Sequence, residues 1–152
     1  MNQATHAFTR NGRIHTEVSD TRFESPRQII GHRLSLLDGT ALYSLSVWRL
    51  PEGVSFDKVN LRKWPQEYMQ VAGSRERMTL EFRRFEDGLA RQYVVGRPPN
   101  GSEAEVVIPW DGYEARVFAN EVFDSDEATE LFTEYYFTGG VSETYHLRLL
   151  AF

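Results

Sequence analysis

Histidines are the first candidates for catalysis or metal binding in this chain. The four are His6, His15, His32 and His146. Metal sites bring their ligands together at characteristic short spacings, and these histidines are spread along the chain without such spacing. His15 and His32 fall in segments predicted as strands, where a histidine without a local partner is more often a packing or surface residue. We therefore assign the histidines no metal and no catalytic role.

Closely spaced carboxylates are the second candidates. Glu103 with Glu105, and Asp111 with Glu114, have the residue types used in general acid–base catalysis. With 22 acidic residues in the chain, such pairs also arise by chance. The sequence lacks a phosphate-binding loop, a dinucleotide glycine motif and a serine nucleophile elbow, and it has no cysteine. We expect a protein that is not an enzyme and binds no cofactor.

Charge is distributed unevenly along the chain, whose formal net charge is −5. Residues 98–152 hold eleven acidic residues against two arginines, Arg116 and Arg148, whereas the preceding residues are slightly basic. Such a segment attracts cationic partners and makes association salt-dependent. Nucleic-acid binding requires a basic footprint, so we expect no nucleic-acid partner. A solvated face that only confers solubility is the simpler alternative.

Length and composition are typical of one soluble domain. The chain has 152 residues, of which 41% are hydrophobic and 26% are charged, so we expect a single domain over residues 1–152. No apolar run approaches the ~18 residues of a membrane span, and the N-terminus lacks the basic and apolar regions of a secretory signal. We expect a cytoplasmic protein without membrane contact, present as a monomer or weak dimer.

Four Asx-Gly pairs between apolar-rich runs predict β-hairpins, because this dipeptide fits the positive φ angles of type I′ turns. The pairs are Asn11-Gly12, Asp38-Gly39, Asp87-Gly88 and Asp111-Gly112. A fifth pair, Asn100-Gly101, follows two prolines and predicts a loop.

Alternation of side-chain types supports two of these hairpins. Around Asp87-Gly88, a two-residue turn pairs Phe82 with Tyr93 and Phe85 with Ala90, giving one apolar face and one mostly solvated face. Around Asp38-Gly39, one face collects the apolar residues Ile30, Leu34, Leu36, Tyr43, Leu45 and Val47. These patterns predict an antiparallel sheet covered on one face. Whether residues 1–65 belong to the same sheet is left open.

Helix signals complete a predicted α+β fold, mainly an antiparallel sheet with a C-terminal helix over residues 124–138 packed on one face. Asp124 is its expected cap, Glu127 completes a capping box, and Gly139 follows its end. Its apolar stripe is Ala128, Leu131, Phe132 and Tyr135. Pro65 and Gly73 also predict a second short helix over residues 65–72. The run from Tyr145 to Phe152 predicts a last strand.

Two groups of residues carry a resemblance to a known family. The first comprises Met69-Gln70-Val71-Ala72-Gly73, Met78-Thr79-Leu80-Glu81 and Gln92-Tyr93-Val94-Val95-Gly96. The second comprises Glu121-Val122-Phe123, Asp126-Glu127-Ala128-Thr129-Glu130-Leu131-Phe132, Tyr135-Tyr136 and Thr138-Gly139. Over residues 66–150 this pattern resembles the Imm1-type immunity proteins of bacterial polymorphic-toxin systems, and similar uncharacterised actinobacterial proteins. One departure is Tyr145-His146, which stand in the closing strand where that family often has a tryptophan.

The resemblance implies an antitoxin function, the neutralisation of a cognate protein toxin by direct binding. A basic toxin would contact the acidic C-terminal segment. The acids expected at that contact are Asp111, Glu114, Asp124, Asp126, Glu127, Glu130 and Glu134. Because tight interfaces anchor on aromatic residues, Trp110, Tyr113 and Tyr136 are expected beside them.

Two alternatives come from other functional classes. The ten phenylalanines and seven tyrosines are enough to line the cavity of a small-molecule-binding, β-rich domain. A phage or secretion-system assembly protein would instead associate with itself through an exposed edge strand.

Overall fold

Strands dominate the structure, a computed structural model that describes residues 4–18 and 21–150. The strands are β1 (His6–Arg10), β2 (Ile14–Glu17), β3 (Ser44–Arg49), β4 (Tyr68–Gly73), β5 (Met78–Glu86), β6 (Leu89–Gly96), β7 (Glu105–Trp110), β8 (Tyr113–Phe118) and β9 (His146–Leu149). The helices are α1 (Pro26–Ser35) and α2 (Ser125–Thr138), with 3₁₀ turns at Phe56–Lys58 and Ala119–Glu121. These elements confirm the predicted α+β class.

Seven strands form one antiparallel sheet in the order β2-β1-β3-β4-β5-β6-β9, and β7 pairs with β8 in a separate sheet. The N-terminal strands therefore belong to the main sheet. The hairpin at Asp87-Gly88 is confirmed, with Phe82 opposite Tyr93 and Phe85 opposite Ala90. The predicted last strand is confirmed as β9, which pairs with β6, whereas residues 151 and 152 lie outside the described residues.

Both helices pack on one face of the main sheet and form the principal core with it. Ile30 and Leu34 of α1 and Leu131 and Phe132 of α2 are buried in the same cluster as Val47 of β3.

The opposite face of the main sheet is covered in two places. The β7–β8 hairpin places Ile108 over Val94 of β6, and residues 50–67 pack Trp64 against Trp48 of β3. Thr79 of β5 also points to this face and is buried. The prediction that this face is mostly solvated is therefore wrong where these two segments lie.

Residues 26–35 form α1, so the predicted strand through Ile30, Leu34 and Leu36 is wrong. The Ser25 hydroxyl accepts a hydrogen bond from the Gln28 N–H at 3.2 Å, and the Gln28 side chain accepts one from the Ser25 N–H at 2.8 Å. This capping box starts a helix. Ile30 and Leu34, four residues apart, share a face in a helix as well as in a strand, so their spacing did not discriminate.

Residues 68–73 form β4, so the predicted short helix over residues 65–72 is also wrong. Met69 and Val71 are fully buried on one face, as the two-residue period of a strand requires. β4 lies between β3 and β5, where it satisfies the backbone hydrogen-bonding groups of both neighbours.

The predicted C-terminal helix is confirmed as α2. The Asp124 side chain accepts the Glu127 N–H at 3.0 Å, and Gly139 adopts a left-handed φ of 75° while its N–H donates to the Tyr135 carbonyl at 2.7 Å. The predicted apolar stripe is buried in the core: Ala128, Leu131, Phe132 and Tyr135.

Four loops and the start of α2 meet at one end of the main sheet, which we call the turn end. The Asn11 side chain donates to the Ala41 carbonyl at 2.9 Å, and the Asp111 N–H donates to the Gly39 carbonyl at 2.8 Å. The Ser125 N–H donates to the carbonyl of Arg75 at 2.7 Å. The opposite end, where β3 and α2 terminate, is called the base end.

Candidate functional site

Two of the expected contact acids on α2 are paired with arginines from outside the acidic segment. Glu127 forms an ion pair with Arg97 and accepts a hydrogen bond from the Tyr145 hydroxyl at 3.1 Å. Glu130 forms an ion pair with Arg27, whose hydrogen bond and charge lower the pKa of the Glu130 carboxyl. Such partly exposed pairs stabilise a fold by only about 0–1 kcal/mol. The uncompensated negative charge on α2 is therefore smaller than the sequence count indicates.

A groove with a volume of about 370 Å³ lies between α2 and residues 142–145. Two carboxylates, Glu130 and Glu134, line it together with the hydroxyls of Thr133 and Thr144. Glu134 has no ion pair within residues 4–18 and 21–150. Phe137 also lines the groove and is 66% exposed. We call this site the acidic groove.

A stack of three aromatic rings lies at the turn end. The rings of Tyr43 and Trp110 are 5.6 Å apart, and those of Trp110 and Tyr113 are 5.1 Å apart. Tyr113 is 64% exposed, and Asp111 and Glu114 belong to the same hairpin. We call the three rings the aromatic platform.

Gly73 allows the β7–β8 hairpin to reach this position. Its φ of 130° is unfavourable for other residues, and a Cβ atom there would lie 2.4 Å from the Arg77 carbonyl oxygen. The same Cβ would lie 2.9 Å from a side-chain carbon of Ile108 in β7. Close contact between β4 and β7 therefore requires glycine.

The structure distributes the ten expected contact residues over three places. Trp110, Asp111, Tyr113 and Glu114 lie in the β7–β8 hairpin. Asp124 and Asp126 lie at the turn end of α2, and Glu127, Glu130 and Glu134 follow along the helix. Tyr136 lies towards the base end, where its ring stacks on His6 with centroids 3.9 Å apart. Of these ten residues, only Glu130 and Glu134 line the acidic groove.

Sequence reasoning missed Phe137 and Thr133 of the groove and Tyr43 of the platform. Phe137 could have been identified from the sequence, because an aromatic residue outside the buried stripe of a helix is expected to be exposed and available for binding. Tyr43 had none, since its contact with Trp110 joins residues far apart in the chain.

The four histidines lie in separate elements: His6 in β1, His15 in β2, His32 in α1 and His146 in β9. Burial, and to a lesser extent the charge of Arg49, lower the pKa of His6 to about 4. The Nδ1 atom of His15 lies 2.8 Å from the Thr9 hydroxyl, which also accepts a hydrogen bond from the Trp48 indole. His32 lies in α1 rather than in the predicted strand.

The residues considered as acids and bases are engaged separately. Glu105 forms an ion pair with Arg116 at 3.1 Å, and Glu103 accepts a hydrogen bond from the Asn100 N–H. In the described part of the chain, no three or more His, Asp or Glu side chains are grouped so that they would hold a metal ion.

Comparison with known proteins found no relative. No protein-family model matches the chain, and no curated protein or solved structure matches it either. Among the described residues, neither helix has the length and apolar character needed to cross a membrane.

Proposed function

We propose that this protein is a cytoplasmic, non-catalytic immunity protein that neutralises a basic protein toxin by binding it at the acidic groove. The observation that carries the proposal is the combination of Glu134, a carboxylate without an ion pair among the described residues, and the exposed ring of Phe137. The family resemblance over residues 66–150 supplies the class of partner.

The acidic groove has the chemistry to hold a lysine or arginine side chain. Its volume of about 370 Å³ admits one long side chain, and the face of the Phe137 ring attracts a cation. Glu134 supplies the opposite charge, while Thr133 and Thr144 accept hydrogen bonds. Caps fix both ends of α2, so the wall that carries these residues is ordered before binding.

Glu130 supplies a second carboxylate if a toxin arginine replaces Arg27 as its ion-pair partner. Its ion pair with Arg27 is half-exposed and therefore weak, so a toxin arginine can compete for it. The cost of displacing Arg27 is small because that side chain becomes hydrated.

The aromatic platform is assigned as a second contact. Trp and Tyr are the residue types that dominate binding energy in protein interfaces. Asp111 and Glu114 belong to its hairpin, and Asp124 and Asp126 lie at the same end of the sheet. Their charges steer a basic partner towards Trp110 and Tyr113.

The test is capture of the partner from a lysate of the cells that make this protein. We expect the tagged protein to retain a basic protein at low salt and to release it at high salt. The double variant Glu130→Gln/Glu134→Gln should lose capture at least about tenfold. Glu17→Gln, which removes an exposed charge from the other edge of the sheet, is the matched control and should retain it. Equal capture by all three proteins would contradict the proposal.

A growth assay then tests neutralisation itself. The captured protein, expressed alone in a bacterial host, should arrest growth, and co-expression of this protein should restore it. Co-expression of the double variant should not restore it, whereas Glu17→Gln should. A captured protein without toxicity would contradict the immunity function.

A further inference from the structure

A second cavity, of about 260 Å³, lies at the base end, where β3, β5 and α2 meet. Arg49 is the last residue of β3, Arg83 and Arg84 lie on β5, and Tyr135 comes from the last turns of α2. Trp64 forms a further wall. We call this site the arginine cavity.

Tyr135 provides a polar group at this cavity. Its side chain is one of the core residues, only 5% exposed, yet its hydroxyl has no hydrogen bond within the described residues. Burial, with a smaller contribution from the negative charge of Glu67, raises the pKa of this phenol. Tyr135 and Glu67 both line the cavity, and the raised pKa keeps the hydroxyl a neutral donor there. The hydroxyl is therefore available to donate a hydrogen bond to a bound acceptor.

The cavity carries both signs of charge. Arg49 has no ion pair in the part of the chain that the structure describes, and Arg84 is paired with Glu86 at 2.6 Å. Opposite charge comes from Glu52 and Glu67. Gly139 also lines the cavity, so the C-terminal carbonyl groups of α2 lie beside it and favour a cation there.

Aromatic walls complete the site. Trp64 packs with the cluster around Trp48 and Leu50, and Phe82 contacts Tyr135 edge to face at 5.8 Å. These rings provide flat apolar surface for a planar group. The volume lies just below the roughly 300–1,000 Å³ of pockets for drug-sized ligands, so the ligand is of metabolite size.

We propose that the arginine cavity binds a small aromatic zwitterion of the α-amino acid class. The ligand carboxylate pairs with Arg49 and accepts a hydrogen bond from the Tyr135 hydroxyl. Its ammonium group faces Glu67 and the C-terminal carbonyls of α2, and its ring packs on Trp64. This site shares no lining residue with the acidic groove, so it does not rest on the proposed toxin-binding function.

Calorimetry with matched ligands tests the chemistry of the site. L-tryptophan should bind, whereas tryptamine, which lacks the carboxylate, and indole-3-propionate, which lacks the amine, should each bind at least about tenfold more weakly. L-leucine, which lacks the ring, should also bind more weakly. No binding of L-tryptophan or L-phenylalanine at millimolar concentration, or equal binding of all four matched ligands, would overturn the proposal.

Variants test the assigned residues. Arg49→Gln, Glu67→Gln and Tyr135→Phe should each weaken L-tryptophan binding at least about tenfold. Tyr135→Phe should leave the melting temperature unchanged or higher, because the hydroxyl makes no hydrogen bond to any other described residue. Arg13→Gln, an exposed charge at the turn end, is the matched control and should bind as the parent does. Parent-like binding by Arg49→Gln or Tyr135→Phe would overturn the assignment.

Discussion

The last turns of α2 contribute to two pockets of different character, one acidic and one with both signs of charge. Glu134 and Phe137 line the acidic groove, whereas Tyr135 and Gly139 line the arginine cavity. Successive residues of an α-helix are rotated by about 100°, so neighbours such as 134 and 135 face different surroundings. One capped helix can therefore present a carboxylate to a protein partner and a phenol to a small ligand.

The two pockets also differ in how they are assembled along the chain. The acidic groove uses residues 130–145, which are contiguous in sequence. The arginine cavity collects residues from β3, β5, α2 and the segment before β4. The first is a local feature of one helix and the loop after it, and the second exists only once the sheet has formed.

The largest expected effect comes from destabilising α2, the helix that lines both pockets. Phe132 is fully buried beneath α2, so Phe132→Ala should lower the free energy of unfolding by about 3–5 kcal/mol. Phe137→Ala, on the exposed side of the same helix, should change it by no more than about 0.5 kcal/mol. Denaturant unfolding of both variants measures the contrast. A loss below about 1 kcal/mol for Phe132→Ala would mean that the helix is packed differently.

The next prediction compares the buried carboxylate of Glu121 with the half-buried carboxylate of Glu134. Glu121 is only 1% exposed and binds Arg148 through two hydrogen bonds of 2.7 and 2.9 Å. Arg148→Met leaves the Glu121 carboxylate buried without its partner and should lower the free energy of unfolding by about 3 kcal/mol, measured by denaturant unfolding. Glu121→Gln should cost less, because Arg148 is partly exposed and can be hydrated. Glu134→Gln should be nearly neutral, and equal costs for all three would remove the distinction.

A pH effect follows from His6, which lies next to Arg49 of the arginine cavity. Its folded pKa of about 4 is below the unfolded value near 6.5, so the unfolded chain binds the proton first as pH falls. The free energy of unfolding should therefore decrease by about 2–3 kcal/mol between pH 6.5 and 4. Unfolding curves across this window measure the loss, over and above that from carboxylate protonation. His6→Phe retains a ring against Tyr136 and should lack this component; an identical pH profile would contradict the assignment.

The smallest effect concerns the start of α2, far from both pockets. Asp124→Ala removes the side chain that caps the Glu127 N–H and should cost about 1 kcal/mol. Asp126→Asn removes a neighbouring charge without a capping bond and should cost less than half as much. Thermal unfolding of the two variants gives the comparison, and equal losses would show that charge rather than capping is responsible.

The sequence predicted those parts of the fold that are determined locally, by a turn dipeptide or by helix caps. The Asp87-Gly88 turn determined the register of β5 and β6, and Asp124 with Gly139 determined the ends of α2. Residues 30–36 and 65–72 were predicted wrongly. In the first, the four-residue spacing of Ile30 and Leu34 suits both helix and strand, and in the second, sheet pairing on both sides of β4 decides the structure.

The two candidate sites also differed in how far the sequence predicted them. Glu130 and Glu134 were identified from their positions on a helix, and the structure places both in the acidic groove. The ion pair of Glu130 with Arg27 was not predictable, because that arginine comes from another helix. The arginine cavity had no sequence signal, since its cations and Tyr135 meet only through tertiary packing.

The most direct test of the account measures both ligands on the same two variants. Capture of the basic partner and calorimetric binding of L-tryptophan are each compared for Glu130→Gln/Glu134→Gln and for Arg49→Gln. We predict that the first variant loses partner capture and retains tryptophan binding, whereas the second retains capture and loses tryptophan binding. Loss of both activities in both variants, or of neither, would contradict the central claim that α2 contributes to two independent sites.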